Sequence, residues 1–151
     1  MTPAGSNPRH SFAVSRLVTF AHVASVETSI AFYALLGFEV QSVLRDAHGQ
    51  PFWALLQSDH AEIMFARASG PIIPDQQAVL FYMYSPDVSG LRAHLLASGL
   101  HDGHVFCGQP GPGGGRRVAF AVTRPDYMPA GEFRVSDPDG YVILIGQLGD
   151  P

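Results

Sequence analysis

The sequence predicts an α+β domain made of two successive β-α-β-β-β modules. Three observations carry this expectation. Apolar runs of strand length alternate with segments of helical periodicity and with turn residues. A helix start and a helix stop, Ser25 and Gly37, recur as Asp87 and Gly99, each 62 residues further on, as in a duplicated unit. A stretch at 68–77 with Gly70, Pro71 and Pro74 separates the two copies.

The elements follow in order. Residues 17–23 are apolar and aromatic and read as a strand. Ser25 then offers an N-cap, Glu27 lies in the first turn, and Gly37 supplies a C′ stop. Between them Val26, Ile30 and Tyr33, with Phe32 and Leu36, recur at helical spacing. Strands are expected at 38–44, 52–57 and 61–66, separated by turns at 47–51 and 58–60.

The second module opens with an apolar strand at 78–84. A helix is capped by Ser85 (with Pro86 at its first position) or by Asp87. Val88, Leu91, Leu95 and Leu96 form its buried stripe, and Gly99 stops it. Further strands are expected at 104–107, 118–122, 133–136 and 141–147, with a tight turn at Asp137-Pro138-Asp139-Gly140. Module one thus spans 12–67 and module two 78–148. The linker occupies 68–77, and residues 1–11 form a flexible polar tail.

Composition narrows the function classes. The chain of 151 residues is 46% hydrophobic and 15% charged, enough apolar content for one packed core. Its formal charge of −4 provides no basic field for a phosphate backbone, so no nucleic-acid partner is expected. No apolar run approaches the roughly 20 residues of a membrane span, and the N-terminus has no apolar leader core. The single cysteine, Cys107, excludes an intrachain disulfide and suits a reducing cytosol. A cytoplasmic protein without a membrane partner is the expectation.

Two motifs then point to a family. Residues 29–38, S-I-A-F-Y-A-L-L-G-F, and 133–141, F-R-V-S-D-P-D-G-Y, resemble signatures of the glyoxalase/bleomycin resistance protein/dioxygenase superfamily, the vicinal oxygen chelate fold. Residues 60–65, H-A-E-I-M-F, resemble its first-module fourth strand, most of all in bleomycin-resistance-type members. The resemblance covers residues 17–147. It implies that the two modules curve one mixed sheet around a cavity and that the protein is a homodimer with pockets at or near the interface.

In metal-using members, His or Glu ligands come from the first and fourth strands of each module. The corresponding positions here are Val18, Glu62, Phe81 and Leu144, of which only Glu62 can coordinate. A stable catalytic site needs at least three suitable ligands. The expectation is therefore no metal, no cofactor, and a binder of a small hydrophobic or aromatic molecule. The rival expectation is a lyase, isomerase or dioxygenase with an atypical metal site.

If Val18, Glu62, Phe81 and Leu144 face the cavity that the resemblance implies, strand alternation brings Phe20 and His22 to it with Val18, Met64 with Glu62, and Met83 with Phe81. Glu62 reads either as a ligand contact or base, or as a relic carboxylate solvated or paired with an arginine. His22 reads as a ligand contact, a partner of Glu62, or a satisfied rim histidine. Trp53 reads as a stacking surface or as packing. Tyr127 lies in the loop before the last hairpin and borders the pocket by resemblance. Tyr82 and Tyr84 are assigned by parity to packing against the helix layer. The glycine-rich segment 108–115 lacks a phosphate-loop ending, and Arg116 and Arg117 read as solvated charges.

Overall fold

The computed structural model describes residues 12–100 and 121–149. The expected tail at 1–11, the strand at 104–107, the glycine-rich segment and most of the strand at 118–122 lie outside them, as does Cys107.

Module one runs β1 (Thr19–Val23), α1 (Val26–Ala34), β2 (Glu39–Arg45), β3 (Pro51–Ser58) and β4 (Ala61–Arg67). Module two runs β5 (Leu80–Ser85), α2 (Val88–Ala97), β6 (Glu132–Ser136) and β7 (Val142–Gln147). One turn of 3-10 helix, Pro74–Gln76, lies in the linker. The expected element order holds throughout the described residues, with three adjustments. β1 begins at Thr19 rather than Leu17, and β5 at Leu80 rather than Ala78. Residues 121–122 are not strand, and Thr123 instead makes an isolated bridge to Glu132.

The helices start where the capping chemistry places them. Ser25 Oγ accepts from Thr28 N at 3.2 Å, and Asp87 Oδ1 accepts from Gly90 N at 2.9 Å. Asp87, not Ser85, is therefore the second N-cap; Ser85 Oγ accepts from Asp87 N one step earlier. Both stops, Gly37 and Gly99, take positive φ, where a side chain would strain the backbone.

Where one sheet was expected, the described residues form two. Module one forms a four-stranded sheet in the order β1-β4-β3-β2, with β1 parallel to β4. Module two forms β5-β7-β6, with β5 parallel to β7. The repeat thus extends from the helices to the strand order. One face of each sheet is buried in a core shared by both modules: Ala21, Val23, Ala54, Leu56, Ile63 and Phe65 in the first, and Phe81, Phe133, Val135, Ile143 and Ile145 in the second. α1 adds Val26, Phe32 and Tyr33, and α2 adds Val88 and Leu95. The opposite faces are open.

The Asp-Pro-Asp-Gly turn between β6 and β7 joins the modules. Asp137 is fully buried, and its carboxylate accepts from three donors. Oδ1 takes the backbone N–H groups of Asp139 and Tyr141, each at 2.9 Å, and Oδ2 takes the Tyr33 hydroxyl of α1 at 2.8 Å. Asp139 Oδ1 accepts from Ala24 N at 2.7 Å, just before α1, and Oδ2 from Ser29 Oγ at 3.5 Å. Tyr141 donates to the carbonyl of His22 at 3.0 Å and stacks on Phe81 with ring centroids 5.0 Å apart. A turn of module two thus caps the start of the helix of module one, where the helix dipole favours negative charge.

Candidate functional site

The open faces hold the side chains left between the core positions of each strand. In module one, register aligns Phe20 with Met64 and Leu55, and His22 with Ala66 and Trp53. Phe20 is 53% exposed despite its size, and its ring meets the His22 ring edge-on at 6.0 Å. Trp53 is half-buried and, with Leu44, Phe52, Ala66 and Arg67, lines an open hollow of about 400 Å³. Phe20, His22, Trp53, Glu62 and Met64 therefore share one face, as strand parity requires. Val18 lies just before β1 and is half-buried.

Module two differs from the expectation. Phe81 and Met83 do not face the open side: Phe81 belongs to the core, and Met83 packs against it. Their register partners are the core residues Ile143 and Ile145. Tyr82 and Tyr84, assigned above to the helix layer, are exposed on the open face instead. The reason is a one-residue error in the register of β5, which inverts every side chain of a strand. Leu144 does fall on the open face, between Tyr82 and Arg134, but is buried there.

The titratable residues find partners that local sequence did not reveal. Glu62 is held by a forked pair from Arg16: Arg16 Nε donates to Oε1 at 3.1 Å, and a terminal guanidinium nitrogen donates to Oε2. This is the arginine-paired alternative among the expectations for Glu62. His22 does not reach Glu62. It lies opposite Ala66, four residues along β4, or ~13 Å at ~3.3 Å per residue. Both partners of the Arg16–Glu62 pair touch solvent, so Glu62→Gln is expected to change stability by less than about 1 kcal/mol. A urea-unfolding shift of about 2 kcal/mol or more would contradict a surface pair.

These positions do not fit a metal. Val18 and Leu144 offer no donor, Phe81 is in the core, and the Glu62 carboxylate is engaged by a guanidinium. Among the described residues, no group of three or more His, Cys, Asp or Glu side chains could hold a metal ion.

A second polar cluster was not anticipated. Glu132, at the start of β6, is only 4% exposed, yet it lies on the open side of its sheet. The Tyr82 hydroxyl donates to Oε2 at 2.6 Å and the Tyr127 hydroxyl to Oε1 at 2.7 Å. Tyr82 reaches Glu132 across β7 because the intervening position is Gly146. A Cβ there would stand 2.8 Å from the Tyr82 oxygen and 2.7 Å from Met128 Cε. Desolvation, then the bond to Glu132, pushes the Tyr82 hydroxyl well above its ordinary pKa. The bond to Glu132, then desolvation, also raises the Tyr127 hydroxyl. Both phenols therefore stay protonated as donors.

A β-α-β-β-β module followed, among the described residues, by a β-α-β-β copy, with the first and last strands of each paired in parallel, matches the vicinal oxygen chelate fold. No family model matches the chain, and no curated protein matches it. Its architecture is that of the bleomycin-resistance proteins. The bleomycin resistance determinant encoded on transposon Tn5 aligns with a TM-score of 0.66 at 18% identity, over 90% of this chain and 99% of that one. A bleomycin-binding protein complexed with bleomycin aligns at 0.65 and 18%, over 89% and 99%. The bleomycin-binding protein of bleomycin-producing Streptomyces verticillus, complexed with copper(II)-bleomycin, aligns at 0.61 and 19%, over 90% and 99%. No helix among the described residues is long and apolar enough to cross a membrane.

Proposed function

We propose that this protein binds a small hydrophobic or aromatic molecule on the open faces of its two sheets, without a metal or other cofactor and without chemistry of its own. The observation that carries this reading is the contrast between faces. The helix side of each sheet is sealed, while Phe20, Leu80, Tyr82 and Tyr84 remain exposed on the other. Exposed apolar and aromatic groups gathered on the open sheet faces suit a binding surface. The ligand contacts are Phe20, His22, Trp53, Met64, Tyr82 and Tyr84, with Glu62, Leu144 and Tyr127 at their borders. The fold shared with bleomycin-binding proteins supports the binding role. At Glu62 a cationic guest would find the carboxylate already neutralised by Arg16.

The working form is a homodimer in the cytosol. A second copy covers part of the exposed face, and the ligand sits at or near the contact. A thermal-shift panel of flat aromatic and aliphatic compounds, with bleomycin included, tests the reading. Stabilisation is expected from at least one flat aromatic compound, and a panel without effect sinks the binding role. Light scattering should return twice the monomer mass. Metal analysis of protein purified without chelators should find no stoichiometric zinc, iron or manganese. A bound metal lost on Glu62→Ala would overturn the metal-free reading.

A further inference from the structure

We propose that Tyr82, Tyr84 and Tyr127, arranged around the carboxylate of Glu132, form a subsite for an organic cation of the ammonium class. The proposal deepens the reading of the open face as a ligand surface and rests on it.

Strand order places the groups. Across the sheet, one row reads Tyr84, Gly146, Glu132, and the next reads Tyr82, Leu144, Arg134. The missing side chain at Gly146 leaves a notch through which Tyr82 leans onto Glu132, while Tyr127 closes on the same carboxylate from the preceding loop. The Tyr82 and Tyr84 rings stand 5.2 Å apart, tilted by 47°, and so pack on each other as one aromatic surface beside the notch. All three rings are exposed, whereas Glu132 is almost wholly covered.

That arrangement suits a cation better than a neutral guest. A ring face carries negative potential and attracts a cation within about 6 Å of its centroid, above all a quaternary ammonium that water solvates poorly. A phenol that donates its proton to a carboxylate gains electron density in its ring. The buried carboxylate adds its own charge from below, in surroundings where water screens it less. Glu132 accepts from two neutral donors, so no cation of the protein is hydrogen-bonded to it among the described residues. Arg134, two residues along on the same face, is the opposing charge and limits the affinity.

Choline, and its uncharged carbon analogue 3,3-dimethyl-1-butanol, separate charge from shape. Titration of each is followed by the tyrosine ring signals in carbon–proton NMR. Choline is expected to shift Tyr82 and Tyr84, and the alcohol to leave them in place. Tyr84→Leu removes a ring that has no hydrogen bond to Glu132, so the fold survives; choline binding should weaken by about fivefold. Arg134→Ala should tighten it. Equal responses to choline and the alcohol, or choline binding unmoved by Tyr84→Leu, would overturn the cation subsite. A neutral naphthol titrated in parallel distinguishes the two readings. Naphthol binding without choline binding removes the subsite and leaves the open-face reading standing. Binding of neither removes both.

Discussion

Asp137→Ala is expected to destabilise the protein by about 3 kcal/mol at pH 5. The substitution leaves three donors, the Tyr33 hydroxyl and the backbone N–H groups of Asp139 and Tyr141, without their acceptor inside the junction between the modules. For a chain of this size that corresponds to a fall in Tm of about 6–12 °C. The dependence on pH is distinctive. Burial drives the Asp137 carboxyl up to about 7, against the opposing hydrogen bond from Tyr33, with Asp139 adding to the rise. The unfolded chain releases this proton near the ordinary carboxyl value, whereas the folded protein keeps it until near neutrality. The folded state therefore binds more protons between about pH 4 and 7, and this group's contribution falls as pH rises through that window. The gap between wild type and Asp137→Ala should narrow from pH 5 to pH 7.5. Asp137→Asn keeps an acceptor for the two N–H groups and cannot ionise. It should hold its stability and lose that slope. Urea midpoints at the two pH values measure all three proteins, and a gap that widens with pH would contradict a carboxyl whose pKa burial has raised.

Gly140→Ala is the second large effect, also about 3 kcal/mol. Two causes add. Gly140 has φ of +86°, which costs an alanine about 1–2 kcal/mol. Its Cβ would stand 2.5 Å from Pro74 Cα and 2.7 Å from the Pro74 carbonyl oxygen, both backbone atoms of the linker. Gln77 Nε2 also donates to the Asp139 carbonyl at 3.1 Å, so the linker is tied to the turn and cannot simply step aside. Gly49 provides the control. Its φ is +78°, and nothing lies within 4 Å of its added Cβ, so Gly49→Ala pays only the conformational cost. Urea midpoints of the two variants isolate the packing of the linker on the turn. Equal losses would contradict that contact.

The fold was legible because its cues are local. Capping residues and helix stops repeat at one spacing, and the alternation of module one correctly divided its strands into core and open faces. The same spacing contained the remedy for the β5 error. Carried from the helices back to the strands, the 62-residue offset maps Phe20 onto Tyr82 and His22 onto Tyr84, and these four do share the open side. A motif count from Val18 to Phe81 is one residue longer, and at a period of two that inverts the strand. The polar partnerships were not legible. Arg16 lies 46 residues from Glu62, and Tyr82 lies 50 from Glu132. Those distances close only when the modules fold. Asp137 read as a turn residue, but its burial against Tyr33 depends on the packing of one module on the other.

The central claim is that ligand binds the open faces and not the sealed side. Aromatic and methyl NMR of the full chain, titrated with the flat aromatic compound that stabilises it most, tests this directly. Signals of Phe20, Trp53 and Tyr84 are expected to move together along one saturable curve, while Phe65 and Ile143 in the core stay in place. Shifts confined to core-face residues, or no saturable shift at Phe20, Trp53 and Tyr84, would contradict the account.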